Sequence, residues 1–463
     1  MLNALLPVVG LAAAPVAYAA TAFTFSPPSE TPLEASGNYT GASNGTLSTQ
    51  PVVPGAVFDR FIQVWLENQD FDVVQSTPTF QKLAAQGILL DSYYALTHPS
   101  EPNYVGTVGG DFFGLGNDDL INIPSNVSTI VDLLEAKNIS WASYQENMPS
   151  DGYEGYNFAS ENYLNGSSTE YDFYFRKHNP TIMYDSVVNN TDRLARHRNF
   201  NDFAADVNAS ALPQWLFITP NMVNDGHDTS VDFCADWLEF WLVPLLNDTR
   251  FITNRTLLLL TFDETETYTE NNRVFTVLLG GEEVIPKNLT GTTDSTYYTH
   301  YSPLSTVEAN WGLGSLGRGD TNKTMSNVYE LVANVTGYKN LDVKGDAIPL
   351  TNLTTTIPGP LNAEMWFPFT APNVSAVGAG GGAVFVASGV NTNLTISNAP
   401  MPVNLTASNA TLPADGYFNA SAASSDGSNS TTTTASGSSS ATGVRVAAAG
   451  VFGAVVGAIV LLA

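Results

Sequence analysis

The segment "RTLLLLTFDE", residues 255–264, limits the fold more than any other stretch of this chain. Its four consecutive leucines leave no polar face, so a strand here must be buried on both sides. Strands of that kind belong to parallel sheets covered by helices on both faces. The run ends abruptly in Asp263 and Glu264. "RFIQVWLEN" (60–68) repeats the design, ending in Glu67 and Asn68, and "LPQWLFITPN" (212–221) leads into "NMVNDGHD". Further strands are expected at "ILLDSYYALT", "NISWASYQEN" and "FTVLLGG" (275–281). Helical patterns lie between them at "STPTFQKLAAQG", "VSTIVDLLEAK" and "SPLSTVEANWGLG". The fold class is therefore α/β, a doubly wound and largely parallel sheet spanning 55–345. Ligands of such sheets bind beyond the carboxyl ends of the strands, where these acids gather.

The flanks read differently. Residues 1–19 have an apolar core running to Ala17-Tyr18-Ala19, as in a signal peptide. Residues 20–54 form a leader loop rich in Pro, Ser, Thr and Gly. Residues 346–415, with many short β-like runs, are expected to form a small β-rich C-terminal appendage, or the end of the catalytic domain extended over its surface. Residues 416–443 are a Ser/Thr-rich disordered stalk, and 444–463 a terminal apolar tail. Small residues, a polar spacer and a tail with nothing after it make the pattern of a GPI anchor, with Ser436, Gly437, Ser438 and Asn429 as attachment sites. Sequons at Asn38, Asn126, Asn138, Asn208, Asn254, Asn334 and Asn393 suit a secreted, cell-surface glycoprotein held to the membrane through lipid. Cys234 is the only cysteine and lies in an apolar helical pattern, so a buried inert thiol is expected. With 17 basic against 44 acidic side chains and a net charge of −27, a nucleic-acid partner is excluded. The acidity suits work below neutral pH.

Chemistry has few carriers. Of five histidines, His178 ("FRKHNP"), His227 ("NDGHDTS") and His300 ("YYTHYSP") have settings suggestive of function. His98, before Pro99, reads as structural. Acids at two strand ends suggest a divalent cation, since hard cations take carboxylate and amide oxygens and crowded carboxylates need a counter-charge. Serine needs a base or a metal to become a nucleophile. No G-x-S-x-G elbow is present, but "HPSEPNY" puts Ser100 at the start of a helix whose first turn tolerates Pro102. A helix N-terminus favours an anionic group such as phosphate. The combination points to phosphoryl transfer rather than acyl transfer.

In order along residues 58–320, "VWLENQDFD", "THPSEPNY", "KHNP", "PNMVNDGHD" and "LLLLTFDE" resemble the metal-dependent phosphoesterase family. That family includes secreted fungal acid phosphatases and bacterial phosphocholine phospholipases C, within the alkaline-phosphatase-like superfamily. The resemblance implies that Ser100 is the nucleophile and accepts the phosphoryl group. It implies Glu67, Asn68, Asp263 and Glu264 as metal ligands together with the Ser100 oxygen. His178, His227 and His300 would surround the phosphate as donors or leaving-group acid, with Asp225 and Asp228 orienting His227 or adding to the metal site. Two departures matter. Glu264 stands where some relatives have aspartate, and "TETYTENN" replaces the Gly-rich, His-containing loop of the phospholipase branch. The expected activity is hydrolysis of small phosphate monoesters through a phosphoserine. The alternatives are a phosphodiesterase or phospholipase C of the same fold, and a non-catalytic wall glycoprotein.

Overall fold

A computed structural model describes residues 31–34, 41, 43–162, 170–349, 351, 357–362 and 365–395. The expected signal peptide, stalk and apolar tail lie outside the described residues. So do most of residues 20–42 and part of the appendage.

Eight strands form the main sheet. Their spatial order is Thr292–Asp294, Ile88–Leu90, Thr276–Gly280, Thr256–Phe262, Arg60–Leu66, Trp215–Thr219, Trp141–Gln145 and His197–Asn199. Only Thr276–Gly280 runs against its neighbours; the other pairings are parallel. The two apolar runs read from the sequence are adjacent central strands, and all seven residues of Thr256–Phe262 are buried. Their register pairs Leu66 with Phe262. Glu67 and Asp263 therefore leave the sheet side by side.

Helices fill the connections. Thr129 caps Ile130–Glu135 through a capping box with Asp132, satisfying N–H groups at the helix start. Ser302–Trp311 ends at Gly312, whose φ of 58° gives the left-handed turn that suits glycine. Cys234 is buried in Val231–Leu245, and burial pushes its thiol well above the usual range, as an inert thiol requires.

Three parts differ from the periodicity. "ILLDSYYALT" is two strands, because after Leu90 the chain leaves the sheet and Tyr93–Tyr94 pairs with Tyr298–Thr299 instead. The hairpin Asn157–Glu161 with Glu170–Phe175 and the edge strand His197–Asn199 carry no clean alternation of apolar residues. The described part of the leader is pinned to the body: Ser43 donates to Asp202 Oδ1 (2.6 Å), Leu47 N–H to Asp206 Oδ1 (2.7 Å) and Val53 N–H to Gln214 Oε1 (2.9 Å).

Beyond residue 346 the described chain runs extended over the domain, with one β-bridge from Val384 to Ser315. It is anchored where Phe385 N–H donates to Ser315 O (2.8 Å) and Ala379 N–H to Glu308 Oε2 (3.1 Å). Sequons at Asn138, Asn208, Asn254, Asn334 and Asn393 are exposed, while Asn126 is half-buried. Among the described residues no helix is long and apolar enough to cross a membrane.

Candidate active site

Three loops leave the carboxyl ends of adjacent parallel strands and are stitched together by their backbones. Glu67 N–H donates to Asp225 O (3.0 Å), Asp263 N–H to Leu66 O (3.0 Å) and Gln69 N–H to Glu264 O (3.3 Å). Glu67, Asp225, Asp263 and Glu264 are all fully buried at this junction. The loop 221–228 is clamped from the neighbouring strand end: Glu146 accepts from Asn221 N–H (3.0 Å) and from Asn224 Nδ2 (2.9 Å).

Ser100 opens the helix Ser100–Gly109, all ten residues of which are buried. Its Oγ donates to Glu67 Oε2 (3.0 Å) and lies 3.3 Å from Asn68 Oδ1. The other Glu67 oxygen accepts from Tyr104 OH (2.6 Å) and lies 2.9 Å from His178 Nε2. Asn68 joins the acids, its N–H donating to Asp263 Oδ1 (3.0 Å) and its Nδ2 to Glu264 Oε1 (3.2 Å). Asn103 fixes the loop before the helix. Its Oδ1 accepts from Leu96 N–H (2.8 Å) and Thr97 N–H (3.2 Å), while its Nδ2 donates to Thr97 O (2.9 Å).

Four carboxyls in one buried site cannot all ionise unaided. Burial opposes the Glu67 charge, but His178, Lys177 and His227 outweigh it and hold Glu67 well below the ordinary range. Burial first, then the Glu67 charge, pushes Asp225, Asp263 and Glu264 well above theirs. Asp225 Oδ2 and Asp263 Oδ2 are buried with no hydrogen-bond partner. Hard oxygen donors, crowding and orphaned oxygens fit a divalent cation, which would let these acids ionise together. Among the described residues no three His, Cys, Asp or Glu side chains already converge as a metal cage. Glu67 is turned to Ser100, Tyr104 and His178, and Glu264 to Asn68 and His98.

The three histidines divide. His227 is partly exposed and lines a cavity of about 440 Å³ with Asp118, Tyr156, Lys177, Met222 and Asp228. Its Nδ1 lies 2.7 Å from Asp228 Oδ1, and Tyr171 OH donates to the other Asp228 oxygen, which fixes that carboxylate against the ring. Burial pulls the His227 pKa down, but Asp228 and Glu67 outweigh it and raise it. His178 is buried against Glu67, 3.7 Å from Asp225 Oδ2, and stacks on Tyr104. Burial lowers its pKa, only partly offset by Glu67. His300 packs on Trp65, with Nε2 2.6 Å from the Asp263 carbonyl oxygen and Nδ1 3.2 Å from Tyr93 OH. Burial lowers its pKa to about 3. Expected as a phosphate donor or acid, His300 instead has both ring nitrogens engaged and supports the Asp263 backbone.

The sequence profile of the Phosphoesterase family matches residues 62–314, the span that carries every one of these groups. The chain belongs to the phosphoesterase family. It is 49% identical over 340 residues to an acid phosphatase of Aspergillus fumigatus, covering 72% of each chain. It is 50% identical over 329 residues to a probable acid phosphatase of Kluyveromyces lactis, covering 71% of this chain and 74% of the relative. A solved structure of an alkaline phosphatase superfamily protein from Vibrio parahaemolyticus aligns at 10% identity with a TM-score of 0.34, covering 60% of this chain and 72% of that one.

In this member of the family, the site also holds residues that sequence reasoning passed over. His98 Nδ1 lies 2.8 Å from Glu264 Oε2, and its ring stacks on Tyr268 at 3.9 Å between centroids. His98 thus belongs to the surroundings of the site. Tyr104 and Asn103 lie one helical turn after Ser100, a spacing that placed them on its face once the helix was accepted. Lys177 and Asp118 had no signal of their own; Lys177 sits beside His178, and Asp118 in a loop.

Proposed function

We propose that this chain is an acid phosphatase that hydrolyses small phosphate monoesters through a phosphoserine at Ser100. The observation that carries the reading is the Ser100 hydroxyl hydrogen-bonded to Glu67 at the carboxyl end of the central strand, among buried acids. Its relatives are named acid phosphatases.

Ser100 Oγ, oriented by its hydrogen bond to Glu67 Oε2, attacks phosphorus and gives its proton to solvent. The bond from phosphorus to the ester oxygen breaks, and His227, on the cavity wall, protonates the leaving alcohol. Water then attacks the phosphoserine, giving its proton to His227, and the released Ser100 oxygen takes a proton back from solvent. Asp228 keeps the His227 ring aligned, and His178 keeps Glu67 oriented and charged. Glu67, Asn68, Asp263, Glu264 and Asp225 are the residues that would hold a divalent cation with the Ser100 oxygen. Such a cation, when bound, would supply charge neutralisation for the phosphate. Acidic pH keeps His227 protonated. We read the chain as secreted and held at the cell surface by a lipid anchor, on the strength of its two apolar ends and exposed sequons.

The test is hydrolysis of p-nitrophenyl phosphate and bis(p-nitrophenyl) phosphate between pH 3 and 9, with wild type beside Ser100→Ala. Acid-quenched wild type is also digested and examined for a phosphorylated Ser100 peptide. Monoester turnover by wild type alone, with a labelled Ser100, is expected. Full turnover by Ser100→Ala would sink the nucleophile assignment. Preference for the diester would favour the phosphodiesterase reading.

A further inference from the structure

Lys177 is the only lysine or arginine on the described lining of the cavity that His227 and Asp228 also line. Its side chain is 8% exposed and its Nζ lies 2.9 Å from Asp118 Oδ2. The other oxygen of Asp118 accepts from Glu101 N–H (2.9 Å), the first amide after Ser100. Tyr156 OH donates to the Asp118 carbonyl (2.9 Å), fixing the loop that carries it. One carboxylate therefore spans an ammonium and an amide of the nucleophile helix, at the wall of an open cavity. Ser100 donates to Glu67, which His178 also touches, and the next residue's N–H donates to Asp118, which Lys177 pairs with.

An ammonium and a helix N-terminal amide are the partners a phosphate dianion seeks. Nothing else in the cavity needs a buried lysine: its other acids, Glu170, Asp172 and Asp228, leave it paired with Asp118 alone. Burying an ammonium is costly unless it is paired, and the charges of Glu67, Asp118 and Asp263 outweigh that burial and keep it protonated. We propose that Lys177 is a catalytic residue that binds the phosphoryl oxygens of the substrate, and that Asp118 is a positioning residue whose carboxylate occupies the phosphate-binding groups until substrate arrives.

On binding, the phosphate takes over the Lys177 ammonium, and the Asp118 carboxylate, 27% exposed, turns toward solvent. No bond to carbon or phosphorus changes in this exchange. Asp118 competes with phosphate, so it weakens binding of both substrate and product. That competition lets inorganic phosphate leave a site otherwise built to hold it. The inference rests on the phosphatase reading, whose own failure would appear separately, as wild type that does not hydrolyse p-nitrophenyl phosphate.

The experiment is calorimetric titration of inorganic phosphate into wild type, Lys177→Met, Asp118→Asn and the double variant, each checked by thermal melting. Lys177→Met is expected to weaken phosphate binding at least about tenfold and to lower kcat on the order of 100-fold. Lys177→Arg, which keeps the charge, is expected to restore most of the binding. Asp118→Asn is expected to tighten binding several-fold, and that gain should vanish in the double variant. Wild-type affinity in Lys177→Met, or an equal gain from Asp118→Asn with and without Lys177, would overturn the proposal. If Lys177→Met does not fold, Asp118→Asn decides alone, and unchanged or weaker phosphate binding overturns it.

Discussion

His300 and His227 carry the same ring, and their surroundings give them opposite chemistry. Both nitrogens of His300 are engaged in the buried interior, whereas His227 faces the cavity with a carboxylate behind it. His300→Phe keeps the packing on Trp65 but strands the Asp263 carbonyl. It should cost about 1–3 kcal/mol of stability and leave the shape of the pH–rate profile unchanged. Urea melts and pH–rate curves check the two halves; loss of the alkaline limb would make His300 a proton donor after all. Asn103 has no chemistry, yet two backbone N–H groups and a carbonyl depend on it. Asn103→Ala should destabilise by about 2–4 kcal/mol, because buried groups would be left unpaired. The midpoint of denaturant unfolding measures this, and an unchanged midpoint would refute it. At this scale the sequence disclosed residue types at strand ends, but not which ring nitrogen met which oxygen.

The helix Ser100–Gly109 is the element on which the site depends, and its glycines are tightly packed. A Cβ at Gly109 would meet Tyr184 Oη at 2.0 Å, and that hydroxyl donates to the Val105 carbonyl (2.9 Å). Propensity alone would have Gly109→Ala stabilise the helix by about 1 kcal/mol. Packing should win, with a net loss of about 1–3 kcal/mol and a drop in kcat as Ser100 shifts against Glu67. Thermal melting with steady-state kinetics checks both signs. The central strands and Ser302–Trp311 were legible from their apolar runs, and the Ser100 helix from the proline in its first turn. The short turn Arg176–His178 and the edge strand His197–Asn199 were not, because tertiary pairing rather than periodicity defines them.

Across the whole molecule, buried carboxyls set the pH dependence of stability. Asp151 is held at a pKa of about 7, first by burial and then by sharing a hydrogen bond with Asp202, against the pull of Arg198. The folded protein thus keeps a proton that the unfolded chain releases near pH 4. The Asp151 contribution to stability is full below pH 4 and is lost as pH rises to about 7, by up to about 1.4 kcal/mol per pH unit. Glu308, raised by burial and by Asp320, acts in the same direction. Asp151→Asn should flatten the stability curve between pH 4 and 7, read as unfolding midpoints across that range; an unchanged slope would refute the assignment. The crowded acids at the site give a second global response. Chelation should abolish turnover and lower the melting temperature, and added divalent cation should restore both. A site loaded at 100 times its dissociation constant contributes about 2.7 kcal/mol to stability. Equal melting with and without chelator would argue against a bound cation.

The sequence by itself determined that two predominantly apolar strands lie in the middle of a parallel sheet, and that acids and a proline-flanked serine follow strand ends. Local periodicity and the chemistry of chain termini are enough for that, since both act over a few residues. Only the tertiary structure decided that the strand pairing Leu66–Phe262 sets Glu67 beside Asp263, that His300 is a support and His98 a neighbour of the site, and that Asp118 bridges Lys177 to the Ser100 helix. Those relations join residues tens to hundreds of positions apart. They arise from strand order and burial, which set distance and dielectric together, and no local pattern in the chain encodes either one.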